Sequence, residues 1–572
     1  MKFKSNIKIL TYYIILTIIL TSPLIINMAD NIPGNENEND AYQHLWTIDW
    51  VKESISTFKN PYYTDKLFYP LGVSLALHNL TLFNSVISIP IQIIFNLIIA
   101  QNLLLILSFI ITAYGMYALT FYLTKNKTAS FIAGFIFSFS PYHFAHFFVN
   151  HLEEVSMGWI PLFILYLIKT IKERDIKNPI LASVFLIITA LSHWYYLFYI
   201  VLFSLILLLY YLITEKKIFN KYSIWGIALL FIVAALILTP FILPMIKEIT
   251  NNNNNNIVEE SNQLIRYSSH ISDYFKPNSF TNPPPLKPQI RKEYGEFNSF
   301  LGYVNIFLVI FFLLVNKSKK RFFWVLSALF FFLLSLGPYL NLFGKTFKNI
   351  PLPYTLFYKI FPFFSLMGVP SRFNVMVILS IAVIVGFSIT ELNKKIRNKK
   401  IVFIILAIIF IEFLPLNFPT TKIHTPTIYQ YLAEDKEDYA ILELPFEGEN
   451  DGIYMYYQTI HKKKLLEGYL GRTPSNAYNF IKNNKLISTL NNLCSNKNQL
   501  ITITTYPHTE IEDGFNSLKN NNIKYILIHE KCKDKNKINT FLKNLTNTIY
   551  KCEDILVFDL FNEKRLENKC IN

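Results

Sequence analysis

Charged residues are scarce in this 572-residue sequence, at 16% of the chain, against about 25% in ordinary soluble domains. The deficit comes from long windows that contain no Asp, Glu, Lys or Arg. These windows are 9–29, 67–124, 128–152, 178–214, 222–246, 297–316, 322–344 and 373–390. About 18 apolar residues suffice to cross a bilayer. The composition therefore excludes a disordered or simple soluble chain and predicts a polytopic membrane protein.

Glycine and cysteine are also few, and both shortages exclude functions. Among the 17 glycines there is no Gly-x-x-x-x-Gly-Lys phosphate loop, so we do not expect a nucleotide held in such a loop. The cysteines lack zinc-module spacing. In an extracytoplasmic tail they would form up to two disulfides, in any of three pairings. They are Cys494, Cys532, Cys552 and Cys570.

The formal net charge is +15. The positions of the basic residues indicate which side of the membrane their loops occupy, rather than a surface for nucleic acid. The basic residues gather in six clusters between the apolar windows, and the positive-inside rule places all six in the cytoplasm. The clusters lie at 2–8, 125–127, 172–177, 216–221, 317–321 and 394–400. No nucleic-acid partner is expected.

Consecutive cytoplasmic clusters must be separated by an even number of crossings, which fixes the span count. Residues 67–124 are long enough for two spans, yet only 101–123 can cross, so 80–100, broken by Pro90, is interpreted as an interfacial or re-entrant helix. The predicted spans are 9–29, 101–123, 128–147, 157–171, 179–193, 195–213, 222–246, 299–316, 322–338, 371–391 and 401–417. These eleven crossings leave the N-terminus cytoplasmic and the C-terminus outside.

The predicted domains are a transmembrane domain, 1–419, and an extracytoplasmic α/β domain, 420–572. The first has a large outer loop at 30–100 and an outer loop at 247–298 that we expect to be mobile, since it holds six successive asparagines and several prolines. Compositional drift is the alternative reading of the asparagine run. In the tail, the segments with strand character are 439–445, 524–529 and 555–561, and those with helical patterns are 475–488 and 510–521.

Asp40 is the first candidate catalytic residue. It follows the acidic run 35–39 and precedes an apolar and aromatic stretch that includes His44, Trp46 and Trp50. An interfacial helix there would hold the carboxylate at the level of the lipid headgroups, where it could deprotonate a hydroxyl. The alternative is that Asp40 is only a helix N-cap.

A second candidate cluster combines His143, His146 and His151 with the carboxylates Glu153 and Glu154. Histidines and carboxylates at a membrane surface can bind a divalent metal or hold a proton-transfer network. The alternative, that an aromatic-rich interface tolerates histidine, applies equally to His143 and His146. His151, which is nearest the carboxylates in sequence, is the favoured residue.

Arg372 is the third candidate. Ser371 is expected to cap the helix that follows Pro370, which places Arg372 in its first turn. An anion bound there would interact with the free amides, the helix dipole and the guanidinium fork, and phosphate is the obvious one. An arginine that anchors the span to lipid headgroups is the alternative. We expect Asp40 and Arg372 to meet in one pocket on the outer face.

These segments resemble the GT-C superfamily of membrane glycosyltransferases. The sequence pattern is most similar to that of the YfhO-type membrane proteins. It is less similar to the patterns of the protein O-mannosyltransferases and the aminoarabinose transferases. The segments that carry the resemblance are 40–50, 60–61, 68–72, 139–151, 194–196, 370–373, 458–461 and 467–472. The resemblance implies a mainly α polytopic membrane protein with about eleven transmembrane helices and an extracytoplasmic C-terminal α/β domain.

The resemblance also implies an activity in the cell envelope. The expected donor is a sugar on a polyprenyl or dolichyl phosphate, transferred with inversion on the outer face to a glycan, lipid or protein acceptor. Asp40 would be the general base, Glu153, Glu154 and His151 would orient the acceptor or a metal, and Arg372 would bind the donor phosphate. Secondary acceptor contacts are assigned to His44, His193 and Arg472.

A divalent metal, Mg or Mn, would be held by Asp40, His151 and Glu154; relatives often have an amide at the position of Glu153, which argues against metal ligation by that residue. Two further classes of function are open: a lipid or polysaccharide transporter or flippase, and a non-catalytic membrane scaffold. Transporters place ionisable residues or broken helices near the bilayer midplane. Here the polar candidates gather at one face, which favours surface chemistry.

Overall fold

The computed structural model describes most of the chain. The residues outside the description are 1, 36–38, 216–217, 252–260, 278–295, 297, 343–344, 362–363, 365–366, 396–399, 416–418, 447–450, 496–507, 544, 547, 564–565, 567–569 and 571–572. Most of the expected mobile loop 247–298 thus lies outside the described residues. The described chain forms two compact units, residues 1–35, 81–243 and 258–421, and residues 36–80, 244–257 and 422–572.

Helices account for most of the described residues of the first unit and for a little under half of those of the second. In chain order they are α1 (Lys2–Leu20), α2 (Ser22–Ile26), α3 (Asn39–Ser56), α4 (Leu82–Ile94), α5 (Leu97–Thr124), α6 (Lys127–Ser138), α7 (Pro141–Phe148), α8 (Trp159–Lys172), α9 (Lys177–Ser192), α10 (Trp194–Thr214), α11 (Lys221–Asn251), α12 (Ser261–Arg266), α13 (Tyr303–Val315), α14 (Lys319–Ser335), α15 (Pro353–Ile360), α16 (Asn374–Lys395), α17 (Lys400–Phe413), α18 (Thr427–Glu434), α19 (Asp451–His461), α20 (Asn479–Asn483), α21 (Lys485–Ser495), α22 (His508–Asn520) and α23 (Lys535–Lys543).

The strands are short and form one larger sheet and three two-stranded pairs in the described chain. They are β1 (Asn31–Pro33), β2 (Tyr63–Thr64), β3 (Val73–Ser74), β4 (Tyr339–Leu342), β5 (Lys345–Pro351), β6 (Thr420–Lys422), β7 (Ala440–Leu444), β8 (Lys464–Leu465), β9 (Ile523–Ile528), β10 (Thr548–Cys552) and β11 (Ile555–Asp559).

The first unit is a helical membrane domain, as the charge-free windows predict. Within the described residues, five helices are long and apolar enough to cross a bilayer. They are Leu97–Thr124, Glu154–Lys172, Trp194–Thr214, Lys221–Thr250 and Pro370–Lys395. Shorter apolar helices are Ile7–Leu20, Leu82–Ile94, Lys177–Ser192 and Tyr303–Val315. The mainly helical membrane fold is confirmed, and the count of eleven crossings stays a prediction.

Two predicted spans were drawn as continuous helices and are interrupted. The span 9–29 breaks at Thr21, because Pro23 lies in the first turn of the short α2 and a proline cannot supply the amide that a continuing helix needs. The span 128–147 breaks after Ser138, where Ser140 caps α7 through a bond from the His143 amide to its hydroxyl, 3.4 Å long. A serine cap followed by proline is a strong helix start.

Helix α16 is the centre of the first unit, and its residues from Asn374 to Thr390 are all buried. A helix that is apolar on every side and buried on every side belongs inside a bundle. Helix α4 contains Pro90 and exposes large apolar side chains at its end, with Ile93 and Ile94 each 71% exposed. Such a surface is suited to lipid, and the interfacial position of α4 stays a prediction.

A strand pair joins the two ends of the first unit's chain. Strand β1 pairs with β6, the Gly34 amide donates to the Pro419 carbonyl over 2.9 Å, and Thr421 donates its hydroxyl to the Gly34 carbonyl over 2.7 Å. The amide of Asn31 adds a bond of 3.3 Å to the Thr420 hydroxyl. The segment after α1 is therefore held against the segment after α17.

The second unit is built on a five-stranded mixed sheet in the order β10-β11-β9-β7-β8. Strand β7 runs parallel to β8 and β9, whereas β9, β11 and β10 are successively antiparallel. Residues of α21, α22 and α23 bury an apolar core against it. Disulfides join Cys494 to Cys532 and Cys552 to Cys570.

The first outer loop clusters with the tail, although the predicted boundary at 419–420 left it with the membrane domain. The reason is the contact between α3 and α19, where buried Trp46 donates its indole N–H to the Gln458 side chain over 3.0 Å. Gln43, one turn earlier on α3, donates its amide to the Tyr469 carbonyl over 2.8 Å. The apolar side of α3, from which the sequence predicts an interfacial helix, packs against protein in this structure.

Candidate functional site

The first unit contains a buried cluster of charged side chains centred on Arg372. Its guanidinium Nη2 lies 2.5 Å from Oε1 of Glu296, and Nε donates to the same oxygen over 2.9 Å. Nη1 forms an ion pair with Oε1 of Glu154. Tyr195 places its ring 5.7 Å from the guanidinium carbon. Two carboxylates thus share one arginine in a largely buried site, where charge-assisted bonds are strong. We call Arg372, Glu154, Glu296, His146, His151 and His193 the arginine cluster.

Glu154 is fixed by the packing of the short 3-10 helix that it begins, Glu154–Gly158. A Cβ on Gly158 would lie 2.6 Å from the Thr112 amide nitrogen, so only glycine lets this turn approach α5 so closely. Tyr196 donates its hydroxyl to the Glu154 carbonyl over 2.6 Å. The Glu154 side chain is completely buried, and its Oε1 is 3.5 Å from Nε2 of His193.

His146 and His151 are brought together by a reversal of the chain after α7. Asn150 takes the left-handed conformation, with φ at 58°, and the His151 amide donates to the His146 carbonyl over 2.9 Å. The two Nδ1 atoms are 2.9 Å apart. One ring must therefore donate a proton while the other accepts it. Nδ1 of His151 also lies 3.9 Å from a carboxylate oxygen of both Glu154 and Glu296.

The arginine cluster has one positive charge fewer than it has negative charges when both of its carboxyl groups are ionised. Arg372 supplies one positive charge against the two carboxylates of Glu154 and Glu296, and buried charges need partners. A proton on one carboxyl group, a protonated histidine or a bound metal ion would each complete the balance. His146, His151 and Glu154 each offer an atom within 4.8 Å of the others. Two imidazole nitrogens and one carboxylate suit manganese or zinc better than magnesium, which prefers oxygen.

Arg372 itself lies where the sequence predicts it, at the start of the central helix, but Ser371 is not the helix cap. A 3-10 turn, Pro370–Phe373, precedes α16, and its N-cap position is Val369. Asn374 follows directly and is bonded by its amide to the hydroxyls of Ser269, over 3.0 Å, and Ser299. These bonds hold the segments on both sides of Glu296 against the helix that carries Arg372.

The predicted site residues fall into both units. Glu154, His151, His193 and Arg372 come together in the first unit, and Glu153, which is half-buried, interacts electrostatically with Glu154.

Asp40 lies in the first turn of α3 in the second unit, with buried His44 one turn further on. Arg472 follows β8 in the same unit and has a left-handed backbone, with φ at 59°. The meeting of Asp40 with Arg372, and the part of Asp40 in a metal site, stay predictions.

Glu296 is the member of the cluster that sequence reasoning missed. It belongs to the segment 247–298, whose asparagine and proline content indicated a mobile loop rather than a site. The available signal was its position as the last charged residue before the uncharged window 297–316. For His146 the sequence leaves two readings equally open, and it favours His151, which lies next to both carboxylates in the chain. The turn at Asn150, which brings His146 next to His151, is not visible in the sequence.

Comparison with solved structures identifies the fold class. The chain matches the oligosaccharyltransferase AglB from Archaeoglobus fulgidus, solved with an inhibitory peptide and a dolichol-phosphate, at a TM-score of 0.52 and 11% identity over 92% of this chain and 70% of that one. It matches ArnT from Cupriavidus metallidurans, bound to undecaprenyl phosphate, at 0.50 and 10% identity over 97% and 98% of the two chains. The protein therefore has the GT-C glycosyltransferase fold.

The mycobacterial arabinofuranosyltransferase AftD is also similar, with a TM-score of 0.56 and 11% identity over 93% of this chain and 37% of that one. Residues 9–413 match the family described as Domain of unknown function (DUF6311), and the chain belongs to this family. No curated protein matches the sequence.

Proposed function

We propose that the protein is a membrane glycosyltransferase that uses a sugar linked to a polyprenyl or dolichyl phosphate. The observation that carries the proposal is the arginine cluster at the start of the buried central helix of a GT-C fold. AglB and ArnT were solved with lipid phosphates. A guanidinium fork is the group that best recognises phosphate, so Arg372 is the donor phosphate ligand.

The reaction is a displacement at the anomeric carbon, with inversion. The acceptor hydroxyl loses its proton to Asp40 as its oxygen bonds to the sugar. The bond between the sugar and the lipid phosphate breaks, and the negative charge that gathers on the departing phosphate is stabilised by Arg372. His151 and Glu154 orient the groups around this arginine. The acceptor is a glycan, a lipid or a protein.

A divalent metal fits the donor set of the arginine cluster. His146, His151 and Glu154 would hold it, and manganese is favoured over magnesium for the reason given above. When bound, such an ion would neutralise phosphate charge. Glu154 is also the partner of Arg372 and His193 in this structure, so it would link the ion to the proposed phosphate ligand.

In the proposed topology the N-terminus is cytoplasmic, and the catalytic residues and the second unit are extracytoplasmic, because the basic clusters gather in the loops of the opposite side. Kinship with the YfhO-type membrane proteins is part of the same proposal. The membrane supplies the lipid-linked donor to the site.

The test compares cells that carry the native chain, Asp40→Asn, Arg372→Gln or the control Asp49→Asn. Asp49 lies on the same helix as Asp40 and is paired with Lys462, so its change should leave transfer intact. The measurement is the surface glycan profile together with the amount of lipid-linked sugar. We expect the Asp40 and Arg372 variants to lose product and to accumulate donor.

The other classes of function predict different results. A flippase whose substrate site contains Arg372 would lose product with Arg372→Gln but keep it with Asp40→Asn. A scaffold would keep product and donor levels in all three variants and would fail only when the second unit is removed. Native product levels with both Asp40→Asn and Arg372→Gln would reject the transferase.

A further inference from the structure

The second unit contains a groove that is separate from the candidate catalytic residues. Two neighbouring cavities, of about 500 and 380 Å³, share Leu71 and Asn479 in their linings. One wall is the β2–β3 hairpin with Tyr63, and the other is the segment from the 3-10 turn Ser475–Tyr478 into α20. We call this the asparagine groove, after Asn476, Asn479 and Asn483. Its volume is that of a binding site for a medium-sized ligand.

The hairpin wall presents a tyrosine ring whose position is fixed. Tyr63 pairs with Ser74 across the hairpin, and its hydroxyl donates to the Leu71 carbonyl over 3.1 Å. Gly72 has a φ of 69°, and a Cβ there would lie 2.3 Å from the Tyr63 hydroxyl oxygen, so glycine is required for the ring to lie across the turn. The Tyr63 side chain nevertheless remains 49% exposed. A fixed, half-exposed ring is a ready stacking surface.

The opposite wall presents three asparagines, one in the 3-10 turn and two in α20. Asn476 lines the first cavity, Asn479 lines both and Asn483 lines the second, so the three follow the groove. All three are exposed, and within the described chain none of their side-chain amides has a hydrogen-bond partner. The next asparagine differs: Asn484 is buried, and its amide donates to the Gly514 carbonyl over 3.0 Å. Asn484 therefore stabilises the fold, while the other three are available to a ligand.

The charge of the groove limits what it can bind. The ionisable side chains in the linings of its two cavities are acidic, Glu248 and Asp513, and neither lining includes a lysine or an arginine. Phosphate, sulfate and carboxylate groups would meet like charge there and no cationic partner. Asparagine amides each donate and accept, which matches the alternating donors and acceptors of neighbouring hydroxyl groups.

We propose that the asparagine groove binds a neutral glycan chain, with sugar hydroxyls bonded to the three amides and a sugar face on Tyr63. A peptide is a poorer fit, because Leu71 and Tyr63 stand out from the wall at 48% and 49% exposure and form no enclosed pocket for an apolar side chain. The glycan would be the acceptor of the transfer reaction, an assignment that rests on the proposed function; the binding itself does not.

The experiment applies the detergent-solubilised full chain to an array of neutral, amino, phosphorylated and sulfated glycans and of unmodified peptides. We expect the native chain to bind neutral glycans. The double variant Asn479→Ala/Asn483→Ala should bind them about tenfold or more weakly, since it removes two hydrogen-bonding groups. Asn536→Ala, an exposed asparagine of α23 outside the groove, should bind like the native chain. All these sites are on the surface, so folding should be unaffected.

Binding only to anionic glycans or only to peptides would overturn the proposal, and so would an absence of neutral-glycan binding or equal binding by the double variant. The same array is applied to Asp40→Asn, which should bind glycans like the native chain. If Asp40→Asn proves fully active in cells while the double variant still loses glycan binding, the transferase function fails and the groove stands. If Asp40 is essential and no neutral glycan binds, the glycan groove fails and the transferase function stands.

Discussion

Arg372 donates twice to one oxygen of Glu296, from Nη2 over 2.5 Å and from Nε over 2.9 Å. In the proposed function the same guanidinium edge binds the donor phosphate. Carboxylate and phosphate are alternative partners of the same fork. Glu296 therefore occupies the edge of the guanidinium that the proposed donor phosphate would use.

Replacing that internal anion should strengthen binding of the lipid. Glu296→Gln removes a competing charge, so we expect polyprenyl phosphate to bind about tenfold more tightly, since a charge-assisted bond contributes about 1.5–3 kcal/mol. The measurement is a titration of the purified chain with undecaprenyl phosphate. Glu391→Gln is the control, because Glu391 pairs with Arg321 at the other end of α16. Weaker binding by Glu296→Gln would mean that this carboxylate assists the phosphate instead.

The two adjacent acids should differ sharply in importance. Glu154 is buried and paired with Arg372, so Glu154→Gln removes one of the two charge-assisted contacts of this arginine and should cost about 1.5–3 kcal/mol of stability. Glu153 is half-buried, and Glu153→Gln should cost less than about 1 kcal/mol. Thermal unfolding in detergent measures both variants. Equal losses would show that Glu154 and Arg372 do not depend on each other.

Metal binding at His146 and His151 should be visible without any assay of activity. Manganese or zinc added to the metal-free chain should raise the unfolding temperature, because an ion that binds only the folded state stabilises it. The double variant His146→Asn/His151→Asn should lose the rise. His424→Asn, a change of an exposed histidine in the second unit, should keep it. A rise that survives the double variant would place the ion elsewhere.

Acid should destabilise the second unit through His461. Burial lowers the pKa of this histidine to about 3, with nearby Lys463, Lys462 and Lys66 acting in the same direction. The unfolded chain takes up the proton below a pKa of about 6.5 while the folded chain does not, so stability is complete above that pH and falls below it.

Between pH 7.5 and 5.5 the expected loss from His461 is about 1.4 kcal/mol. In His461→Asn the side-chain amide oxygen can accept the bond that the Lys463 backbone amide donates to Nδ1 of His461 over 3.0 Å. The substituted position then carries no titrating group. Unfolding temperatures of the full chain at the two pH values should therefore fall less in this variant. An identical fall in both chains would assign the acid sensitivity to other groups.

The disulfide between Cys494 and Cys532 should stabilise the second unit by about 2–4 kcal/mol, because it closes a loop of 38 residues in the unfolded chain. The double variant Cys494→Ser/Cys532→Ser should lower the unfolding temperature of the second unit, which near-ultraviolet circular dichroism of its many tyrosines can follow. The apolar helices of the first unit should melt as before. An unchanged transition of the second unit would show that packing alone determines its stability.

The sequence predicts the helices of the first unit well, because lipid requires long uncharged segments and allows few other patterns. The ends of those helices are predicted less well, since they depend on local chemistry such as the Ser140 and Pro141 break. In the second unit the predicted strand segments 439–445, 524–529 and 555–561 fall on β7, β9 and β11, because short apolar runs between polar turns have few alternatives.

Part of the candidate site is predictable residue by residue, but the arrangement is not. Arg372, Glu154 and His151 are candidates by their own chemistry and His193 by the resemblance, yet nothing in the sequence pairs Arg372 with Glu154. Glu296 was missed because the composition of its segment concealed it. Similarly, Trp46 and Gln458 are 412 positions apart, so the attachment of the first loop to the tail follows from tertiary packing alone.

The pairing of β1 with β6 has a consequence for biosynthesis. The Asn31 side chain bonds to Thr420, which lies 389 residues later in the chain. The pair of β1 and β6 therefore cannot form until nearly all of the membrane helices have been synthesised. Domains normally fold as they emerge, N-terminal part first. Helix α1 can pack early, since Tyr13 donates its hydroxyl to the Phe131 carbonyl over 2.9 Å, but a nascent chain that stalls before residue 420 would leave the edge of β1 without its partner strand.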